Sequence, residues 1–424
     1  MQASLIHSDA MHTLAAVLFA VALLHTFGAK LFETLAHRHP AHAGLFHLLG
    51  EVEVVFGFWA MVLIVAMALL AGSDQAVAYA ESRQFTEPLF VCVVMVVAAS
   101  RPVLEAVRAL LQAVARTMPL RPSVGMAWLG LGVVPLLGSL ITEPAAMTLA
   151  ALMLAPVVFA PSVSVRGKYA ALGVLFVNIS IGGTLTSYAA PPVLMVAQTW
   201  QWDSTFMLQT FGWKAALAVL INATVLVRVI HRQVPDSVAQ AQDTQAVSVP
   251  WFVSAVHLAF LAGVVVLAHH PVLFLGLFLF FLGYTHAYHQ YQSPLILKEG
   301  LLVGFFLAGL VVLGGMQQWW LQPIVASLEP TALFLGAMGL TAVTDNAALT
   351  YLGSLITGIS PASQYMLVAG AVAGGGLTVI ANAPNPAGVA LLRGHFSGAA
   401  VGAGGLLAGA LLPTAIAAAA FYFL

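Results

Sequence analysis

The sequence predicts an all-α integral membrane protein, and three observations predict it. Of 424 residues, 61% are hydrophobic and only 7% are charged, against about 25% charged in a soluble domain. Mean hydropathy is +0.98, and apolar runs recur from end to end, near the roughly 20 residues that span a bilayer as a helix. The short alternation of an outer-membrane barrel is absent. So few charges cannot cover a water-facing surface. A formal charge of −1 and the lack of a basic tail give no reason to expect a nucleic-acid partner. The single cysteine, Cys92, excludes an intramolecular disulfide.

Taken in order, helix candidates fall near 13–34, 48–72, 87–100, 123–141, 144–161, 168–199, 205–230, 251–268, 271–289, 299–316, 331–343, 345–359, 362–392 and 401–424. The first run is too long for a signal peptide's apolar region and follows no basic segment, so it is a span. Between Arg101 and Arg116, Arg101, Glu105, Arg108, Gln112 and Arg116 share one helical face, opposite Val103, Val107, Leu110, Leu111 and Val114. That pattern fits an amphipathic helix at the membrane surface, with the polar end of a tilted span as the alternative. The candidates flanking Glu143 and Asp345 are too short to cross alone, and they pair into two re-entrant hairpins. Arg232 to Ser248 lacks apolar periodicity and reads as a linker. The expected division is an N-terminal helix over 1–36, a first repeat over 37–232, a cytoplasmic linker over 233–250 and a second repeat over 251–424.

Orientation follows from lysine and arginine in short loops. With each hairpin entering and leaving on one side, Lys30, Arg38, Arg101 to Arg121, Arg166, Lys168, Arg228, Arg232 and Arg393 all become cytoplasmic. Both termini are then external, and the halves are inverted.

An internal repeat carries the chemistry. ITEPAAMTLAALML from Ile141 aligns with VTDNAALTYLGSLI from Val343, setting Thr142 against Thr344 and Glu143 against Asp345. Downstream, GGTLTSYAAPP from Gly182 aligns with GGGLTVIANAPNP from Gly374, with Thr186 opposite Thr378. Two motif pairs in the same order mark an inverted-repeat secondary transporter with two broken transmembrane helices. Paired glycines followed by threonine and prolines do not hold a continuous helix, so Gly182–Pro192 and Gly374–Pro386 are expected as unwound midpoints. Irregular backbone at membrane depth is tolerated only where protein or a wet cavity satisfies it. The hydroxyls of Thr184, Thr186, Ser187 and Thr378 and the amides of Asn346, Asn382 and Asn385 offer oxygen ligands to a small cation. Each hairpin tip adds a carboxylate, Glu143 or Asp345. Either carboxylate could instead be an N-cap, and the glycines could serve close helix packing alone. Ionisable groups at membrane depth are costly, which favours the functional reading.

Glu51 and Glu53, opening the second span, correspond to Lys298 and Glu299 and are expected at the membrane edge. The pairs His37 and His39, and His286 and His289, lack four convergent ligands for zinc. Trp200, Trp202, Trp319 and Trp320 fit an aromatic belt.

NISIGGTLTSYAAPP from Asn178, AGGGLTVIANAPNPAGVALLRGHF from Ala373, TDNAAL from Thr344 and KEGLLVGFFLAGLVVLGG from Lys298 resemble ArsB/NhaD-type members of the ion transporter superfamily. More narrowly, the chain resembles the group called putative Na+/H+ antiporters. The resemblance covers about 120 to 400. It implies hairpins and broken helices meeting near the midplane, a homodimer with scaffold and transport domains, and a bacterial inner (plasma) membrane location. The hairpin tips would be Thr142–Ala146 and Thr344–Ala348. The dicarboxylate branch carries a Ser-Asn-Thr tip in each hairpin, whereas these tips read Thr-Glu-Pro and Thr-Asp-Asn, which argues against carboxylate substrates.

The leading expectation is a Na+/H+ antiporter without cofactor, in which Thr142, Glu143, Thr344 and Asp345 join the loop ligands. Na+ and protons compete there, and Asp345 is expected to matter more than Glu143. The alternative is an anion carrier for arsenite or a small organic anion, with helix N-termini facing the substrate. Neither tip holds the Arg or Lys that it would favour. An intramembrane enzyme would need a nucleophile–base pair or an HExxH motif, and neither occurs.

Overall fold

The computed structural model describes residues 8–235 and 248–424, and every regular element within them is helical. Among the described residues, six helices are long and apolar enough to cross a bilayer: Asp9–Thr26, Val52–Ala71, Val165–Leu185, Ser204–Ile230, Leu297–Gly314 and Ala403–Phe423. Two bent pairs, Thr86–Ala98 with Arg101–Thr117 and Pro122–Leu131 with Val133–Ile141, bring the number to 8 when each counts as one span. The protein is an all-α integral membrane protein.

Proline sets many helix starts. Pro122, Pro144, Pro191, Pro271, Pro330, Pro361 and Pro386 all occupy the first turn, where the missing N–H costs nothing and the fixed φ suits the helix. The first candidate splits at Gly28 into Asp9–Thr26 and Ala29–Arg38. Two short helices, Ser73–Glu81 and Gln318–Ala326, follow spans where the sequence suggested none. Most of the expected linker, residues 236–247, lies outside the described residues.

Packing divides the chain into two compact units. One contains Met1–Cys92, Leu297–Leu328 and Tyr351–Ile359; the other contains Val93–Ile296, Glu329–Thr350 and Ser360–Leu424. Each draws on both sides of the linker, so these units do not follow the repeat boundaries read from the motifs.

In the first unit, Val52–Ala71 and Leu297–Gly314 touch backbone to backbone. A Cβ on Gly309 would lie 2.3 Å from the Gly57 nitrogen. Without a hydrophobic drive between helices in lipid, such close approach supplies the packing energy. Phe56 joins Phe19 and Phe306 edge-on, at 5.7 and 5.3 Å between ring centres. The Lys298 ammonium bonds the Glu51 carboxylate at 2.8 Å, directly linking two positions that the sequence matched to each other.

In the second unit, Val165–Gly182 packs on Ala403–Phe423 through Gly173, whose Cβ would lie 2.3 Å from the Gly409 carbonyl carbon. Helix Arg101–Thr117 turns 62° from the helix before it. It buries Val103, Leu111 and Ala115 and exposes Arg108 and Arg116, the pattern of an amphipathic surface helix. Buried Asn178 donates to the carbonyls of Leu131 and Val219 and accepts from Asn222. This network ties the kink at Gly132 to two neighbouring spans.

Candidate functional site

Helix Val165–Gly182 runs into a single 3-10 turn, Gly183–Leu185, and helix resumes only at Pro191. Helix Pro361–Gly374 stops likewise, and helix resumes at Asn385. Both breaks fall inside the expected segments. The broken spans cross at Gly376, where a Cβ would lie 2.4 Å from the Val177 nitrogen. There the Ser180 hydroxyl donates to the Val372 carbonyl at 2.8 Å.

Each hairpin tip packs into a break. In the first, helices Val133–Ile141 and Glu143–Leu154 meet at Thr142, whose φ of 73° lies in a region L-residues avoid. A non-glycine residue held there costs of order 1–3 kcal/mol, a strain that clusters at functional sites. The Ser139 hydroxyl donates to the Gly182 carbonyl at 2.7 Å and accepts from the Leu185 N–H at 2.9 Å. Thr186 donates to the Ser139 carbonyl at 2.7 Å.

The second hairpin repeats these contacts one residue later than the motif alignment requires. Thr378, the partner of Thr186, donates to the Ala342 carbonyl. Gly182 abuts Pro135 and Gly374 abuts Met338; Gly183 abuts the Glu143 side chain and Gly375 abuts that of Asn346. The second helix of each hairpin starts at Glu143 and at Asn346. The spatial counterpart of Glu143 is therefore Asn346, which corrects the pairing of Glu143 with Asp345. Identical Thr and Ala-Ala letters pulled the alignment one position away from the packing. Asp345 stands where Thr142 stands, and its Oδ1 accepts the Ala347 and Ala348 N–H groups at 2.8 and 3.2 Å. It caps the helix, as the structural alternative anticipated.

Glu143 is 0% exposed. Its Oε2 accepts from the Asn382 amide at 2.8 Å, while Oε1 has no partner among the described residues. Four more buried oxygens in the two tips and the second break lack partners among the described residues: Thr142 Oγ1, Asn346 Oδ1, Asn382 Oδ1 and Asn385 Oδ1. Orphaned buried oxygens are rare, and each calls for an unseen donor or ion. The amide nitrogens of the three asparagines are occupied. Asn382 donates to Glu143, Asn346 to the Ser180 hydroxyl, and Asn385 to the Gly375 and Thr378 carbonyls. The backbone N–H of Asn346 also donates to the Ala381 carbonyl, drawing the second tip onto the second break. Among the described residues, Glu143 has no salt-bridge partner; the Asp345 carboxyl interacts with it electrostatically.

The remaining candidates fall elsewhere. Thr184 and Thr344 spend their hydroxyls on their own helices, bonding Ile181 and Leu340 carbonyls. Thr186 and Thr378 lock breaks to tips rather than leaving hydroxyls free. Ser187 pairs with Ser204. Sequence reasoning missed Ser139 and Ser180, which organise the first tip and the crossing. Serine within an apolar run just ahead of Thr142, or ahead of the Gly182-Gly183 pair, was the available signal.

The profile of the family described as "putative Na+/H+ antiporter" matches residues 10–424, and the chain belongs to that family. No curated protein matches it.

Proposed function

We propose that this family member exchanges Na+ for H+ at one site centred on Glu143. The observation that carries the reading is a fully buried carboxyl with one oxygen unpartnered among the described residues, together with four such oxygens in the two tips and the second break. An isolated buried charge is very costly, so such a carboxyl is neutralised by a proton or a cation. A hard cation such as Na+ takes carboxylate, hydroxyl and amide oxygens, the groups left open here. Proton and Na+ cannot occupy the carboxyl together, and that competition is the minimum requirement for antiport.

In this reading, Glu143 binds the ion and releases or accepts the proton. Asn382 orients its carboxylate through Oε2. Thr142, Asn346, Asn382 and Asn385 complete the oxygen set, while Thr186 and Thr378 hold the breaks against the tips. Asp345 shapes the second tip as a cap rather than as the principal ligand. The membership in the broader superfamily and the inverted arrangement of the halves belong to the same proposal, supported by the matched tip-and-break contacts.

The test is ion-driven proton movement in proteoliposomes, comparing Na+, Li+ and K+. Wild type should move protons against an imposed Na+ gradient, with apparent Na+ affinity falling as the pH is lowered. Glu143→Gln should abolish the exchange while leaving the protein folded. A wild type that moves an anion but no cation would replace this reading with the anion carrier.

A further inference from the structure

A cavity of about 760 Å3 opens within the first unit, among helices Asp9–Thr26, Ser73–Glu81 and Gln318–Ala326. Its lining includes Arg83, Tyr79, Trp319, Gln318, Gln322 and His12, and no aspartate or glutamate. The Arg83 guanidinium lies 4.7 Å from the centre of the Tyr79 ring. Its Nε and Nη2 donate to the neighbouring Ser82 hydroxyl. Among the described residues Arg83 has no carboxylate partner. Stacking on Tyr79 fixes the guanidinium plane and leaves Nη1 beside Gly315, where an added Cβ would lie 2.7 Å away. Among the described residues, the Trp319 indole N–H donates to no protein group, and Trp319 is 51% exposed.

The cavity is lined by Gly315 and Met316, just past the end of the span Leu297–Gly314, and by the helix Ser73–Glu81 that follows the span Val52–Ala71; span ends are where a bilayer presents its head groups. Arginine is suited to phosphate because its planar fork donates two parallel bonds, and unlike lysine it stays charged and stacks on rings.

We propose that this cavity binds a phosphate group, supplied by an anionic phospholipid head group, with Arg83 as the charged anchor and the Trp319 indole as a second donor. The proposal is independent of the Na+/H+ reading, because none of these residues belongs to that site.

The experiment titrates the purified, delipidated full chain with short-chain phosphatidylglycerol and separately with sodium phosphate, following binding by thermophoresis. Phosphatidylglycerol should bind saturably. Arg83→Gln should weaken it about tenfold or more, as expected on losing a charge-assisted bond. Arg83→Lys should fall between the two, because the charge remains without the fork. Trp319→Phe, at an exposed position, and Gly315→Ala, which pushes the guanidinium aside, test the same contact should Arg83→Gln fail to fold. Equal binding of sodium phosphate with the same Arg83 dependence would support the phosphate site while assigning it to the free anion. Absence of saturable binding by either probe, or affinity unchanged in all the variants, overturns the proposal.

Discussion

At the scale of single residues, the two hairpin carboxylates differ in their surroundings. Glu143 sits at the first turn of Glu143–Leu154, where the helix dipole favours an anion, and one of its oxygens has no partner. Asp345 has Oδ1 committed to two backbone N–H groups. Asparagine caps a helix about as well as aspartate, whereas alanine loses about 1 kcal/mol. Asp345→Asn is therefore expected to keep both fold and exchange, and Asp345→Ala to lower thermal stability before it lowers transport. Thermal unfolding and vesicle assays on the pair check this; an Asp345→Asn protein that folds yet moves no Na+ would return the principal role to Asp345. Gly183 gives a sharper probe of the same spot, because its Cβ would lie 2.6 Å from Glu143 Oε1. Gly183→Ala should raise the Na+ concentration needed for half-maximal exchange severalfold. An unchanged Na+ dependence would mean that the carboxylate can move aside without loss.

At the scale of elements, the first hairpin tip carries strain, and side chains satisfy backbone groups of the breaks. Thr142 holds a positive φ that glycine adopts without penalty. Thr142→Gly should relieve about 1 kcal/mol of that strain while removing the unpartnered Oγ1 and its ligand capacity. Thr142→Ala keeps the strain and also loses the hydroxyl. If the hydroxyl serves the ion, both variants weaken Na+ activation, and only the glycine variant gains thermal stability. Equal stability in the two would show that the tip is not strained in the way its dihedrals indicate. In the second break, the Asn385 amide donates to both the Gly375 and Thr378 carbonyls. Asn385→Ala leaves those acceptors to other partners and should loosen the segment, raising amide hydrogen exchange across 375–385 above exchange in Val165–Gly182.

At the scale of the whole molecule, the proposed arrangement places Arg166, Arg232 and Arg393 in the cytoplasm and the termini outside. Lysine and arginine cluster in loops that all become cytoplasmic if both hairpins return to their own side. Single cysteines at 166, 232 and 393 in a Cys92→Ala background should resist an impermeant thiol reagent in intact cells and react after permeabilisation. External labelling at 232 would sink the inverted arrangement, because it would put the boundary between the halves on the wrong side.

The membrane class, the helical content, the two breaks and the two tips were legible in the sequence. Each follows from a local rule: apolar length for spans, proline for helix starts, and glycine pairs followed by proline for unwinding. The residues of the candidate site were almost all named from motif alone. Which of them face one another was not legible, because that depends on register between segments far apart in sequence. A one-residue shift exchanges a carboxylate for an amide at the position opposite Glu143, and letter matching favoured the wrong register. The contacts of Gly183 with Glu143 and Gly375 with Asn346 fix it, since the two matched glycines each press on the first residue of the hairpin's second helix. Burial likewise separated Glu143 from Asp345. A sequence records that both are acids, but only the packed structure decides which one lies out of water with an oxygen left open.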